Sequence, residues 1–196
     1  MDVPERVRLA EAGAREAGFG LSCDARTGAL LAVLAGAVPS GGRILELGTG
    51  AGVGLSWIVG GLGGRGDVEV VSVELDRTTA AVAAGLGWPD SVRVEVGDAL
   101  AHIDWPARWD LVFADAQGGK WEGLADTVRS LRPGGVLLVD DMTPAEFMDD
   151  EHRTRTAEVR AHLLASPEVT AVEIGWSTGL ILCSRRHDTV VVDAAG

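Results

Sequence analysis

The chain has 196 residues, enough to bury one good core and short for two, so one domain is the expected organisation. Its net charge of −12, from 17 basic and 29 acidic residues, disfavours a nucleic-acid partner, because a polyanion needs a basic stripe to neutralise its phosphates. No apolar run approaches the ~20 residues of a membrane span, the first residues lack the basic-then-apolar order of a signal peptide, and Cys23 and Cys183 lack metal-ligand spacing, so the expectation is a cytoplasmic chain with two reduced thiols.

In chain order, residues 4–17 carry a loose apolar stripe (Val7, Ala10, Ala14, Ala17), and Asp24 or Thr27 can cap a second helix through Leu30, Leu31, Val33 and Leu34. These helices make residues 1–40 a cap on a core spanning 41–186, with 187–196 as a flexible tail. Arg43–Gly54 then reads as an apolar strand running into a glycine loop. Ile44, Leu45 and Leu47 suit a strand covered on both faces, and Gly48, Gly50 and Gly52 let the backbone approach a ligand at the start of a helix from about Leu55. Neither register of these glycines fits the G-x-G-x-x-G dinucleotide fingerprint. The pattern Glu46-x-Gly48-x-Gly50-x-Gly52 instead resembles motif I of class I methyltransferases that use S-adenosylmethionine.

The remaining strands agree with that resemblance. Val68–Asp76 ends in acid, and Glu74 follows Gly54 by twenty residues, close to the ~20-residue offset of a ribose-binding carboxylate. Strands over 92–100, 109–115 and 134–141 follow, the last preceded by Leu131-Arg-Pro-Gly-Gly135, the turn found before strand five in this superfamily. Helical stretches over 55–62, 77–86, 121–131 and 153–165 alternate with the strands and imply a parallel sheet with right-handed crossovers. Val169–Ile174 and Thr178–Ser184, separated by Gly175-Trp-Ser177, should form a hairpin. The resemblance implies an α/β, Rossmann-like, seven-stranded sheet of order 3-2-1-4-5-7-6. It also implies a donor held by Glu46, Gly48, Gly50, Gly52, Glu74 and Asp115, with Asp98 near the adenine.

Asp115, Asp140 and Asp141 end adjacent strands beside the expected ligand crevice. Here the sequence resembles the catechol O-methyltransferase-like family, whose divalent metal is held by an Asp after strand four and an Asp-Asn pair after strand five. Asp115 and Asp140 match, and Asp141 stands where the family has Asn. Three carboxylates suit Mg²⁺ or another hard divalent cation, although the extra charge weakens its Lewis acidity; the alternative is that Asp140 and Asp141 cap a strand end, with 143–146 opening a helical turn.

The family's general-base lysine, three residues after the first metal Asp, is replaced by Gly118. A longer loop could bring Lys120 back, but a solvated lysine opening the helix over 121–131 is the favoured reading. The family's serine after the loop is replaced by Gly54, with Ser56 nearby. His152, just after the acidic loop, is the histidine retained as a candidate base. Trp57 and Trp109 are expected in the core; Trp121 and Trp176, with Met142, Phe147 or Met148, are candidates for an acceptor pocket, and residues 19–22 for a segment closing over the donor. The catalytic candidates are thus Asp115, Lys120 and His152. The expected activity is methyl transfer from S-adenosylmethionine to a small-molecule acceptor, most simply at oxygen, by a chain that binds no nucleic acid or membrane and can pair as a homodimer. A metal-independent methyltransferase and a non-catalytic donor-binding protein are the alternatives.

Overall fold

In the computed structural model, which describes residues 3–103, 109–143 and 149–187, seven strands form one sheet. They are β1 (Arg43–Leu47), β2 (Glu69–Glu74), β3 (Val92–Val96), β4 (Trp109–Ala114), β5 (Leu131–Val139), β6 (Val169–Ile174) and β7 (Leu180–Arg185). Their spatial order is β3-β2-β1-β4-β5-β7-β6, parallel through the first five positions and antiparallel where β7 joins β5 and β6. This is the class I methyltransferase topology.

Because side chains alternate along a strand, each central strand feeds two cores. Ile44, Val70, Leu111, Phe113 and Leu138 point to one face, where they meet Val7 of α1 (Glu5–Glu16), Leu31 of α2 (Ala25–Ala37) and Leu55, Trp57 and Ile58 of α3 (Val53–Leu62). Leu45, Leu47, Val71, Val112, Leu137 and Val139 point to the other. That face is covered by Leu124 and Val128 of α6 (Leu124–Ser130) and Val159 and Leu163 of α7 (Asp150–Ala165). Helix α4 (Arg77–Ala84) follows β2, and α5 is a short turn at Gln117–Lys120. Helices α1 and α2 therefore bury sheet surface and α3 itself, with Asp24 as the N-cap of α2, accepting from the amides of Arg26 and Thr27 at 2.8 Å.

Several boundaries differ from expectation for local reasons. The third strand stops at Val96, because Asp98 caps a 3-10 turn over Ala99–His102 through the Leu100 amide. Strand five starts at Leu131: Trp109 pairs with Leu131 but Leu111 with Val136, so Arg132-Pro-Gly-Gly135 bulges within the strand instead of preceding it. The expected helix over 121–131 is cut to Leu124–Ser130 by Gly123, whose φ of 74° breaks the helical path. Helix α7 begins at Asp150 because Asp149 caps it through the His152 amide. In the final hairpin, Thr178 and Gly179 belong to the turn. Residues 144–148 and 188–196, including Phe147, Met148, most of the 143–146 turn and nearly all the expected tail, lie outside the described residues. Among the described residues no helix is long and apolar enough to cross a membrane.

Candidate active site

The strand order reverses between β1 and β4, and this is where an open α/β sheet presents its ligand crevice. Two hydrogen bonds close the sheet there: Asp115 N donates to Leu47 O at 2.9 Å, and Gly48 N to Val73 O at 2.9 Å. The glycine loop turns between them. Gly48 has a φ of 99°, and a Cβ on it would lie 2.8 Å from Asp115 O, so neither its conformation nor its space admits a side chain. At Gly50 a Cβ would sit 2.9 Å from the Phe19 ring.

Phe19, Leu21, Ser22 and Cys23 form the outer wall of a cavity of about 190 Å³ whose floor is Gly48–Ala51 and whose acidic lining is Glu46, Glu74 and Asp115. The segment between α1 and α2 thus stands over the glycine loop. A smaller cavity of about 70 Å³ shares Gly48, Glu74 and Ala116 with the first and continues to Gly97 and Asp98.

Within this cleft the carboxylates differ in kind. Glu74 accepts from Gly50 N through Oε2 at 2.9 Å and from Asp76 N through Oε1 at 3.0 Å, so it braces the glycine loop and keeps lone pairs free. Glu46 is fully buried: Ser72 donates to its Oε2, Thr49 Oγ1 lies 2.5 Å from Ser72 Oγ, and its Oε1 has no partner. Burial pushes its carboxyl up to about 8, with the negative charge of Glu74 adding to the rise and the Ser72 hydrogen bond opposing it. A Cβ at Gly54 would collide with Glu46 Oε1, so the glycine standing where the family has serine makes room for this carboxylate. Ser56 does not replace that serine, because its hydroxyl turns back onto Gly52 O at 2.7 Å.

At the ends of β4 and β5 the side chains come from four elements. Asp140 is 2 % exposed, and its Oδ1 accepts from Asp141 N at 2.7 Å and from Thr178 Oγ1, in the β6–β7 turn, at 2.6 Å. Lys120 lies at 4 % exposure, with Nζ 3.3 Å from both Asp140 O and Asp141 Oδ2. The lysine expected in solvent is thus buried, which corrects the favoured sequence reading. The cause is local: Gly118 and Gly119 leave the helical path, Gly119 with a φ of 86°, and Thr127 Oγ1 fastens the turn by donating to Gly119 O at 2.8 Å. Two extra residues are looped, and the ammonium returns to the strand ends.

Burial drives the carboxyl of Asp115 well above its ordinary range; Lys120 pulls it down, while Asp140, Asp141 and Glu46 push it further up. Asp140 is also raised, first by burial. Cys23 sits near the same charges, and burial followed by Asp115 and Asp140 raises its thiol, so it is a poor nucleophile.

The metal set expected at Asp115, Asp140 and Asp141 is not formed as an open ligand shell. Among the described residues no three His, Cys, Asp or Glu side chains are grouped to hold an ion, and the cluster already contains the Lys120 ammonium. The residues do not fit a divalent cation. His152 packs edge-on against Trp121 at 4.8 Å, its Nε2 buried without a hydrogen-bond partner, and it stands outside the hydrogen-bonded carboxylate set. Of the aromatic candidates, Trp57 and Trp109 are core as expected, Met142 is core as well, and Trp121 packs against that core. Trp176, 44 % exposed, lies over Arg26, Ala29, Leu30 and Val33 of α2, lining a cavity other than the glycine-loop one.

Fold, glycine loop and acidic cleft together are those of the class I methyltransferase architecture. Residues 45–142 match the model of the family described as a methyltransferase domain, and the chain belongs to that family. It is 30% identical over 189 residues to a protein of Mycobacterium sp. strain JLS named as an O-methyltransferase, covering 89% of this chain and 85% of that one. It is 37% identical over 139 residues to a protein of Mycobacterium tuberculosis with a similar name, covering 65% of this chain; the match spans 61% of that relative's length. Among solved structures it is similar to the O-methyltransferase TomG of Streptomyces achromogenes, involved in tomaymycin synthesis and solved with SAM. The TM-score is 0.79 and the identity 28%, over 95% of this chain and 92% of that one.

Proposed function

We propose that this chain transfers a methyl group from S-adenosylmethionine to an oxygen of a small-molecule acceptor. The observation that carries the reading is Glu46: a fully buried carboxylate oxygen without a partner, beside a glycine loop whose cradle a Cβ would fill, calls for a cationic ligand. The cationic amino-acid end of the donor meets that demand. Glu46 and Asp115 would hold it, the loop Gly48–Gly52 would lie under it, Glu74 would accept from the ribose hydroxyls, and the smaller cavity by Asp98 would take the adenine. When bound, the donor would supply an electrophilic methyl on a sulfonium; the acceptor oxygen would attack it in line as the sulfur–carbon bond breaks to leave a neutral thioether, and the acceptor's hydroxyl proton would leave to solvent.

The chain's own work is orientation and exclusion of water. Phe19 and Leu21 cover the loop, while the carboxylates offer a negative surface to a cation. The acidic chain suits a small acceptor better than nucleic acid, and two free, separated thiols suit a cytoplasmic location. The test is to incubate the protein with donor labelled in its methyl group and a panel of phenols and hydroxy acids. The reading predicts labelled ether or ester products. Donor binding with no transfer to any acceptor would favour a binding protein, and absence of donor binding would refute the reading.

A further inference from the structure

We propose that Lys120 is the resident cation at the ends of β4 and β5, its ammonium paired with Asp141 where the resemblance would place a divalent metal. Its Nζ lies 3.3 Å from Asp141 Oδ2 and 3.3 Å from Asp140 O, at the mouth of the strands that carry the other two carboxylates. Burying an ammonium is costly unless it is paired and hydrogen-bonded, and here the Asp141 carboxylate pairs with it and the Asp140 carbonyl accepts from it. The lysine is placed by a built device, not by a flexible arm. Gly118 and Gly119 make the turn, and Gly119 N donates to Glu122 O at 2.7 Å while Thr127 grips Gly119 O. Gly119 is also pressed onto Leu47, where a Cβ would collide.

The carboxylates are arranged for this partner. Both hydrogen bonds to Asp140 Oδ1 come from protein donors, and Asp141 turns through a φ of 61° as it presents Oδ2 to the ammonium. Asp at this position, where the resemblance implies Asn, then has a reason: the full negative charge pairs with Lys120. Adding a divalent ion within a few ångströms of the ammonium would set like charges together in a buried place.

The role rests on the methyl-transfer reading, but its test needs neither donor nor acceptor. Mn²⁺ alone is titrated into the full chain and followed by electron paramagnetic resonance and thermal unfolding. The wild type is expected to bind no ion at micromolar concentrations, and Lys120→Arg to behave like it. Lys120→Met leaves Asp141 without its cation, beside Asp140 and Asp115, and is expected to bind Mn²⁺ at least about tenfold more tightly than the wild type, with a matching rise in Tm. Asp141→Asn, which keeps the lysine and recreates the family's ligand types, is expected to remain indifferent to Mn²⁺, and this variant decides the matter should Lys120→Met fail to fold. Stoichiometric micromolar binding by the wild type or by Asp141→Asn, or no gain in a folded Lys120→Met, would overturn the proposal. Failure of the methyl-transfer reading would show separately, as absence of donor binding by calorimetry.

Discussion

The two halves of the cleft are built by different means. On the β1–β2 side the work is done by backbone: glycines with positive φ, amides returned to Val73 O, and one carboxylate, Glu74, fastening the loop. On the β4–β5 side the work is done by side chains that converge from β4, α5, β5 and the β6–β7 turn. A backbone device needs particular residues at fixed local spacing, whereas a side-chain device needs only that loops of any length meet. The first should therefore break when one glycine is changed, and the second should tolerate local change while its charges balance.

The sharpest way to break the backbone half is Gly50→Val. A Cβ there meets the Phe19 ring and a φ of 53° is unfavourable for a β-branched residue, so donor affinity should fall by roughly a hundredfold or more while the sheet survives. Calorimetry with S-adenosylmethionine and far-ultraviolet circular dichroism would separate the two effects. Retained affinity would mean that the loop does not touch the donor.

Glu46 sharpens the comparison because it belongs to the backbone half yet behaves as a buried charge. Its carboxyl titrates at about 8 in the folded chain against 4.5 for an ordinary glutamate. Between those values the folded state holds a proton that the unfolded state has released, so stability falls as pH rises through this window and levels off above it. The loss is on the order of 5 kcal/mol. Glu46→Gln should flatten that part of the stability–pH curve, measured by urea unfolding in the absence of donor. An unchanged slope would assign it to another group.

Glu74→Ala should cost about 1.5–3 kcal/mol of donor binding, since it removes both the loop brace and the charge-assisted bonds expected to the ribose. Phe19→Ala, which only opens the outer wall, should cost about 1 kcal/mol, seen as a faster donor off-rate in stopped-flow measurements. An effect as large as that of Gly50→Val would make residues 19–23 part of the donor's primary contact.

The same contrast explains what could be read from the sequence. The first strand and the glycine loop were legible because Ile44, Leu45 and Leu47 make a strand apolar on both faces and Gly48, Gly50 and Gly52 keep a local spacing, while the strand order came from the resemblance to class I methyltransferases. Glu74 and Asp98 were legible as acids at strand ends, and both line the cleft. Lys120 was misread because its offset from Asp115 is two residues longer than the family's. The Gly118-Gly119 pair, with Thr127 to pin it, was the signal that the loop doubles back. Ser56 was misleading for a similar reason: proximity in sequence placed it near the loop, but its hydroxyl is spent on the helix backbone. The orphaned oxygen of Glu46 has no sequence signal, because it arises only when β2 and α3 close around it.

The most direct measurement of the central claim is a calorimetric titration of the wild-type chain with S-adenosylmethionine, and with NAD as control, in buffers of different ionisation enthalpy from about pH 6.5 to about pH 8.5. The account predicts one donor bound per chain and no heat from NAD. Below about pH 8, donor binding should release a proton from Glu46, making affinity rise with pH, and Glu46→Gln should lose that release. Binding of NAD with no heat from the methyl donor would contradict it.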